Sequence, residues 1–359
     1  MLKNKIYQYF FIEFLKIFLL ISLSFSLLIW FTQAARLLEL ITEFGNSIEV
    51  YIKYLIYSYP KILNNTFLLN YVISLFFLFS KLENQKEMQI YWLSGISKKK
   101  IYYICIFISL LILNINLLLA NFLTPWSSFQ GRLELGNSKF TLINALVKEG
   151  NFNSPLKDLT IYVEKNDKKG NLEGIFIYEK SRTITAKTGQ VLSSKNKTFL
   201  KLYKGLTQEK IGDKINFIKF EETTFDFSKY QNKNISYPKL NERNLKWLIK
   251  NLNNTSYTDK QKTEIRVEIN SRLIKPFLII ILTSIISFCL ISNNEKINLR
   301  KLKIFIYTLS VGILIANQVL INFSGNSLIH TYVYIFSLLL LFFIINFIFF
   351  KFLKIETLK

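Results

Sequence analysis

Apolar residues in this chain are bunched into six long runs separated by polar stretches. The runs cover about Ile6–Ala35, Tyr54–Ser80, Ile101–Leu123, Leu273–Ile291, Ile304–Ile321 and Thr331–Phe350. About 20 predominantly apolar residues suffice for a helix to cross a bilayer, so each run predicts one transmembrane helix. The second run contains Pro60 and the polar patch Asn64-Asn65-Thr66. Both are tolerated where neighbouring helices satisfy the freed backbone groups. Pro125 and Trp126 are expected to close the third run.

Between the third and fourth runs the pattern changes to period-two alternation. Leu159, Ile161 and Val163 alternate with Thr160, Tyr162 and Glu164. The segments Gly174–Glu179, Thr183–Leu192, Thr198–Leu206, Ile215–Phe220 and Thr223–Phe227 behave likewise, which reads as strands. Turn signals separate them at Asn166 to Gly170, Ser193 to Lys197 and Gly212-Asp213. Short strands at this spacing predict an all-β sandwich, jelly roll or barrel-like sheet. The stretch Asn241–Lys250, and then Asp259 onward, reads as helix leading back to the membrane. The domain reading is residues 1–125 for the first three spans, 126–265 for the β domain and 266–359 for the last three spans.

The loops between spans alternate in charge. The N-terminus carries Lys3 and Lys5, the loop after the second span Lys81 and Lys98 to Lys100, the Asn293–Lys303 loop four bases, and the tail Lys351, Lys354 and Lys359. The intervening loops hold Glu39, Glu43 and Glu49, or neither Lys nor Arg between Asn322 and His330. Basic short loops stay cytoplasmic, so both termini are expected inside and the β domain in a periplasm-like space. No small-residue cleavage site follows the first run, which reads as a retained span.

One cytoplasmic loop, Lys81–Lys100, carries a short helix signal from Glu87 to Leu93. Met88 and Trp92 lie one turn apart on one face, and Gly95 follows as a C-cap. Two readings stand from the residues alone. The helix is either an interfacial belt, with Tyr91 and Trp92 at headgroup level, or a docking helix for a soluble partner.

Composition fits this picture. Half the residues are hydrophobic and 33 are Phe, far from a soluble domain. The net charge of +22 would suggest nucleic acid in a soluble protein, but much of it sits in short loops beside spans. Cys105 and Cys289 lie in different apolar runs without metal-ligand spacing, and the one histidine, His330, ends a span. There is no G-x-x-x-x-G-K-[ST] loop, no His-x-x-x-His and no Gly-x-Ser-x-Gly, so no enzyme, cofactor or metal centre is expected. Cations do mark the outer ends of spans: Arg36, Lys53, Arg272 and Lys275, with Arg266 nearby. They read either as ligands for the phosphates of an anionic lipid or as side chains snorkelling to headgroups. Glu268 and Arg272 are spaced to pair on a helix, and Pro276 lies four further on.

Six stretches in order carry a family resemblance over essentially the whole chain. They are W-F-T-Q-A-A-R-L-L-E-L-I at Trp30–Ile41, E-M-Q-I-Y-W-L-S-G-I-S at Glu87–Ser97, D-L-T-I-Y-V at Asp158–Val163 after Gly150-Asn151-Phe152, L-E-G-I-F-I at Leu172–Ile177, I-T-A-K-T-G at Ile184–Gly189 with L-K-L-Y-K-G at Leu200–Gly205, and E-x-x-x-R-x-x-x-P at Glu268, Arg272 and Pro276. The chain resembles the LptF/LptG (YjgP/YjgQ) lipopolysaccharide export permeases, and is closer to LptF.

That resemblance implies a six-span permease subunit in the inner membrane, with a periplasmic β-jellyroll. It implies a second, LptG-like permease, a cytoplasmic LptB-like ATPase dimer, and LptC/LptA-like bridge proteins that receive lipopolysaccharide. It makes Glu87–Leu93 a coupling helix, with Glu87, Met88, Tyr91, Trp92 and Gly95 at the ATPase, and places Arg36 towards the lipid cavity. Ala34 and Ala35 stand where relatives can carry a further base. The rival reading is a membrane-anchored envelope sensor or assembly scaffold without transport. No cytoplasmic segment has the length of an output domain.

Overall fold

The computed structural model describes residues 5–38, 48–137, 149–156, 159–167, 170–179, 182–194, 197–211, 214–226, 237–252, 254–291 and 299–357. The acidic loop with Glu39 and Glu43, the Gly212-Asp213 turn and Lys296 lie outside the described residues. The chain divides into two compact units. One comprises residues 1–31, 58–129 and 238–359, the other residues 32–57 and 130–237.

The first unit is helical. Helix α1 spans Lys5–Leu37 and α2 spans Ile48–Asn84, their outer ends belonging to the second unit. The short α3 follows at Glu87–Leu93, then α4 at Lys98–Leu118. A π-helical turn at Leu119–Leu123 leads from α4 directly into α5, Thr124–Asn137. Pro125 therefore does not end the third span as its chemistry suggests. A proline inside an α-helix lacks its N–H and crowds the preceding turn, and the wider π turn just upstream absorbs that misfit.

After the β strands come α6 at Leu245–Asn251 and α7 at Asp259–Leu273. Thr258 starts α7 with a capping box: its hydroxyl accepts from the Gln261 N–H, and its own N–H donates to the Gln261 side chain. The helix tightens to a 3-10 turn at Lys275–Phe277, around Pro276, and resumes as α8, Leu278–Ile286. Helices α9, Leu299–Ser324, and α10, Leu328–Thr357, complete six helices among the described residues that are long and apolar enough to cross a membrane.

Helix α8 is the hub of this unit. It is apolar all round, and eight of its nine residues are buried, as expected of a helix enclosed by others. The fourth span is 67% buried over its most apolar window, against 17% for the sixth. Lipid tails supply little hydrophobic drive between helices, so polar staples and close packing fix neighbours. The Tyr71 and Thr283 hydroxyls meet at 2.6 Å between α2 and α8. Tyr102 of α4 donates to Asn346 of α10, and Tyr334 donates to Asn317 at 2.7 Å across the α9–α10 hairpin. Arg266 of α7 clasps that hairpin's turn, donating to the carbonyls of Gly325 at 2.6 Å and Asn326 at 3.1 Å. A Cβ on Gly325 would collide with Val267, so glycine is what lets the turn approach α7 this closely. His330 at the start of α10 pairs with the Ser327 hydroxyl at 2.7 Å.

The second unit carries one six-stranded antiparallel sheet in sequence order: β1 Asn153–Leu156, β2 Leu159–Asn166, β3 Asn171–Glu179, β4 Arg182–Ser194, β5 Lys197–Ile211 and β6 Lys214–Asp226. Its inner face, including Leu159, Ile161, Val163, Ile177, Leu200, Leu202 and Phe225, forms a core of its own. The β-bearing unit ends at Tyr237, so residues 238–265, grouped with the β domain by composition, instead belong with the helices.

A crease crosses the sheet. Pairing is interrupted, with no change of register, at Glu164, Gly174, Lys187, Lys204 and Glu221, which lie in line on β2 to β6. Each strand shifts its inward set by one position there. Leu172 is followed inward by Ile175, and Ala186 by Gly189. Gly174 at φ 63° and Lys204 at φ 50° adopt left-handed conformations on the crease. A groove of about 710 Å3 follows it, lined among others by Lys187, Lys204 and Phe220. This explains why strict alternation reads two strands, Ile215–Phe220 and Thr223–Phe227, where the structure has the single bent β6. Beside the crease, a Cβ on Gly205 would collide with the Thr185 carbonyl and the Phe220 ring. Gly205→Ala is expected to cost about 1–3 kcal/mol, as overpacking of a tight site does. Faster limited proteolysis within residues 130–237 of the full chain is the readout.

Candidate functional site

One cluster of candidate residues gathers around α3, while the cations expected at the other ends of the spans are divided between the two units. Around α3, the chain turns at Lys86, whose φ is 57°, and then winds Glu87–Leu93. Gly95, at φ 74°, closes the helix with a Schellman pair: its N–H donates to Trp92 O at 3.0 Å, and that of Ile96 to Tyr91 O at 3.1 Å. Ile96 is itself buried in the helical core.

The two caps fix the rotation of α3. Tyr91 is buried, and Met88 and Trp92 pack against the same core. Lys98 sits 5.6 Å over the Trp92 ring. The face left open carries Gln89, Ile90 and Leu93, with Ile90 57% and Leu93 88% exposed. Met88 and Trp92, which the resemblance sets at the ATPase, are partly buried against the chain's own core. They anchor α3 to its own bundle, because large side chains beside an available core bury there first.

Polar contacts tie α3 to the first two spans. Tyr9 of α1 donates to Glu87 Oε1 at 3.1 Å, and Lys81 at the end of α2 pairs with the buried Glu13 of α1. Lys303 of α9 pairs with Glu83. Glu87 Oε2 and the Tyr91 hydroxyl are buried close to one another. Burial, and then the nearby Glu87 charge, pushes the Tyr91 phenol well above its ordinary range.

At the other ends of the spans, Arg36 is exposed on α1 and Lys53 pairs with Glu49 at 2.7 Å on α2, both in the second unit. There the Tyr51 hydroxyl donates to Ala34 O at 2.8 Å, joining the two helix ends. Arg272 and Lys275 belong to the first unit. Lys275 donates to Gln318 of α9 at 3.2 Å.

Arg272 is turned inward, at 4% exposure. Its Nε donates to Glu268 at 2.7 Å, and its two terminal nitrogens to the carbonyls of Arg243 at 2.7 Å and Asn241 at 2.8 Å. The Glu268–Arg272 spacing legible in the sequence is thus a pair. The two carbonyls, 29 and 31 residues upstream, are partners that spacing does not reveal.

The family model for the lipopolysaccharide export system permeases LptF/LptG matches residues 8–352. The chain belongs to the LptF/LptG family. An uncharacterized protein of Rickettsia prowazekii (strain Madrid E) is 21% identical over 207 residues, covering 56% of this chain and 57% of that relative. The chain thus aligns with little more than half the length of that curated relative. That family is one of export system permeases, and the six long apolar helices among the described residues of this chain fit a multi-pass membrane protein.

Proposed function

We propose that this chain is the LptF-like permease subunit of an ATP-driven transporter. The transporter lifts lipopolysaccharide out of the inner membrane and passes it to a periplasmic β bridge. The observation that carries the reading is the family match from residue 8 to 352, over six spans and a curled sheet whose inner face is apolar. The Trp30–Ile41 and Glu87–Ser97 stretches favour LptF over LptG. The alternating basic loops put α3 in the cytoplasm and the sheet in the periplasm.

In this reading a separate LptB-like ATPase dimer docks on α3. Ile90 and Leu93 supply apolar anchors, and Glu87, held by Tyr9, ties the start of the docked helix to α1. Motion of α3 reaches α1 through Tyr9 and α2 through the Glu13–Lys81 pair. Lipopolysaccharide moves laterally between the spans of this chain and those of an LptG-like subunit. Large apolar side chains are uncovered on α1, including Leu20, Leu28 and Phe31, and on α9, including Phe305, Ile315 and Phe323. Such faces suit a second subunit and a lipid cargo. Arg36 and Lys53 in one unit, and Lys275 in the other, are the cations offered to lipid phosphates, whereas Arg272 is committed to Glu268 and to the carbonyls of Asn241 and Arg243. The sheet then hands the acyl chains to LptC/LptA-like partners.

Purification of the tagged chain from its native membrane tests this. The expected result is co-purification of a second permease and an ATPase, with lipopolysaccharide in the lipid extract by mass spectrometry. Recovery of an intact chain with an envelope partner but no ATPase would favour the scaffold reading instead.

A further inference from the structure

Away from α1 and α9, an open groove of about 900 Å3 lies between the outer half of the third span and α6. Leu117, Leu118, Phe122 and Trp126 form one wall, and Leu245, Lys246 and Ile249 of α6 face them. The groove's location follows from two local features. The π turn at Leu119–Leu123 widens the third span, and the segment leading into α6 is held by Arg272 through the carbonyls of Asn241 and Arg243.

One polar group at this groove lacks a partner. Asn121 lines it and is 8% exposed; its Nδ2 donates to Leu117 O at 2.8 Å, while its Oδ1 accepts nothing. A buried, unpaired carbonyl oxygen is costly, and more so at the edge of a bilayer than beside water. The unpaired oxygen calls for a ligand that brings a hydrogen-bond donor. Phe122 and Trp126, 70% and 53% exposed, line the groove beside Asn121. Lys246 is exposed on the facing helix and supplies a positive charge.

An apolar channel, a cation and an unpaired acceptor at the end of a span match the three parts of one membrane lipid. We propose that this groove is a resident site for a glycerophospholipid whose headgroup carries an N–H or O–H donor. One acyl chain runs along Leu117, Leu118 and Phe122, the phosphate meets Lys246, and the headgroup donor reaches Asn121. Phosphatidylethanolamine has such a donor; phosphatidylcholine, with a quaternary nitrogen, has none. The site is separate from the lipopolysaccharide path proposed above: its lining includes none of Arg36, Lys53, Arg272 or Lys275.

The test uses the full chain in vesicles containing either lipid, each with the same photoreactive acyl chain, followed by peptide mapping. Adducts on residues 114–126 and 244–249 are expected to be about fivefold stronger with phosphatidylethanolamine, the worth of one net hydrogen bond. Asn121→Leu should remove that preference, and Lys246→Ala should weaken labelling by both lipids. Leu118→Trp, which fills the channel without touching Asn121, should reduce labelling while the chain still purifies at normal yield. Equal labelling by both lipids, unchanged in Asn121→Leu, would mean boundary lipid only and would overturn the proposal. So would displacement of the label by added lipopolysaccharide, or a protein segment cross-linked in the groove instead.

Discussion

Arg272→Ala should destabilise the helical unit by about 3–5 kcal/mol, the usual cost of removing one partner from a buried ion pair. The loss leaves Glu268 without its cation and two backbone carbonyls, those of Asn241 and Arg243, without their donors. Arg272→Lys should recover little, because one ammonium cannot span a carboxylate and two carbonyls as the planar guanidinium does. Thermal unfolding of the detergent-purified chain reads the effect. A variant that melts like the wild type but has lost bound lipid would show the side chain to be a lipid ligand, as its position at a span end first suggests.

The second large effect is expected at α3. Ile90→Asp together with Leu93→Asp should weaken capture of the ATPase by at least about thirtyfold, on the scale of ~2 kcal/mol that docked apolar anchors carry. The chain itself should stay folded, since both side chains are exposed. Trp92→Ala should do the reverse, lowering the chain's own stability by about 2 kcal/mol because the indole packs in its own core. Retention of the ATPase on the Ile90, Leu93 variant, with release from a stable Trp92→Ala chain, would return the contact face to Met88 and Trp92.

These two cases also show where the sequence stops being informative. The six spans are legible because a bilayer demands a long apolar run, and only a helix answers that demand in so few residues. The rotation of α3 is not. Met88, Tyr91 and Trp92 on one side and Ile90 and Leu93 on the other offer two apolar faces on seven residues. The turn at Lys86 and the Schellman closure at Gly95 decide between them, and both depend on where α2 and α4 place the ends. Arg272 is similar. Its pairing with Glu268 is local and visible, whereas its tertiary contacts cross the residues of α6.

The β domain was legible in class but not in detail. Alternation at Leu159, Ile161 and Val163 marks β2 and its buried face directly. At the crease the inward set shifts by one in five strands at once, and a period-two reading there finds a strand end instead. Pro125 misleads for a related reason. The rule that proline stops a helix assumes an α-helical turn before it, and the π turn at Leu119–Leu123 removes that premise.

In the proposed function, ATP hydrolysis on a partner drives lipopolysaccharide through this chain onto its sheet. The direct measurement places a photocrosslinker at Phe225, on the sheet's inner face, in proteoliposomes containing the permease pair, the ATPase and lipopolysaccharide. The account predicts a lipopolysaccharide adduct that accumulates over time with ATP and stays at background without it. Steady ATP hydrolysis with no adduct at Phe225 above that background would contradict it.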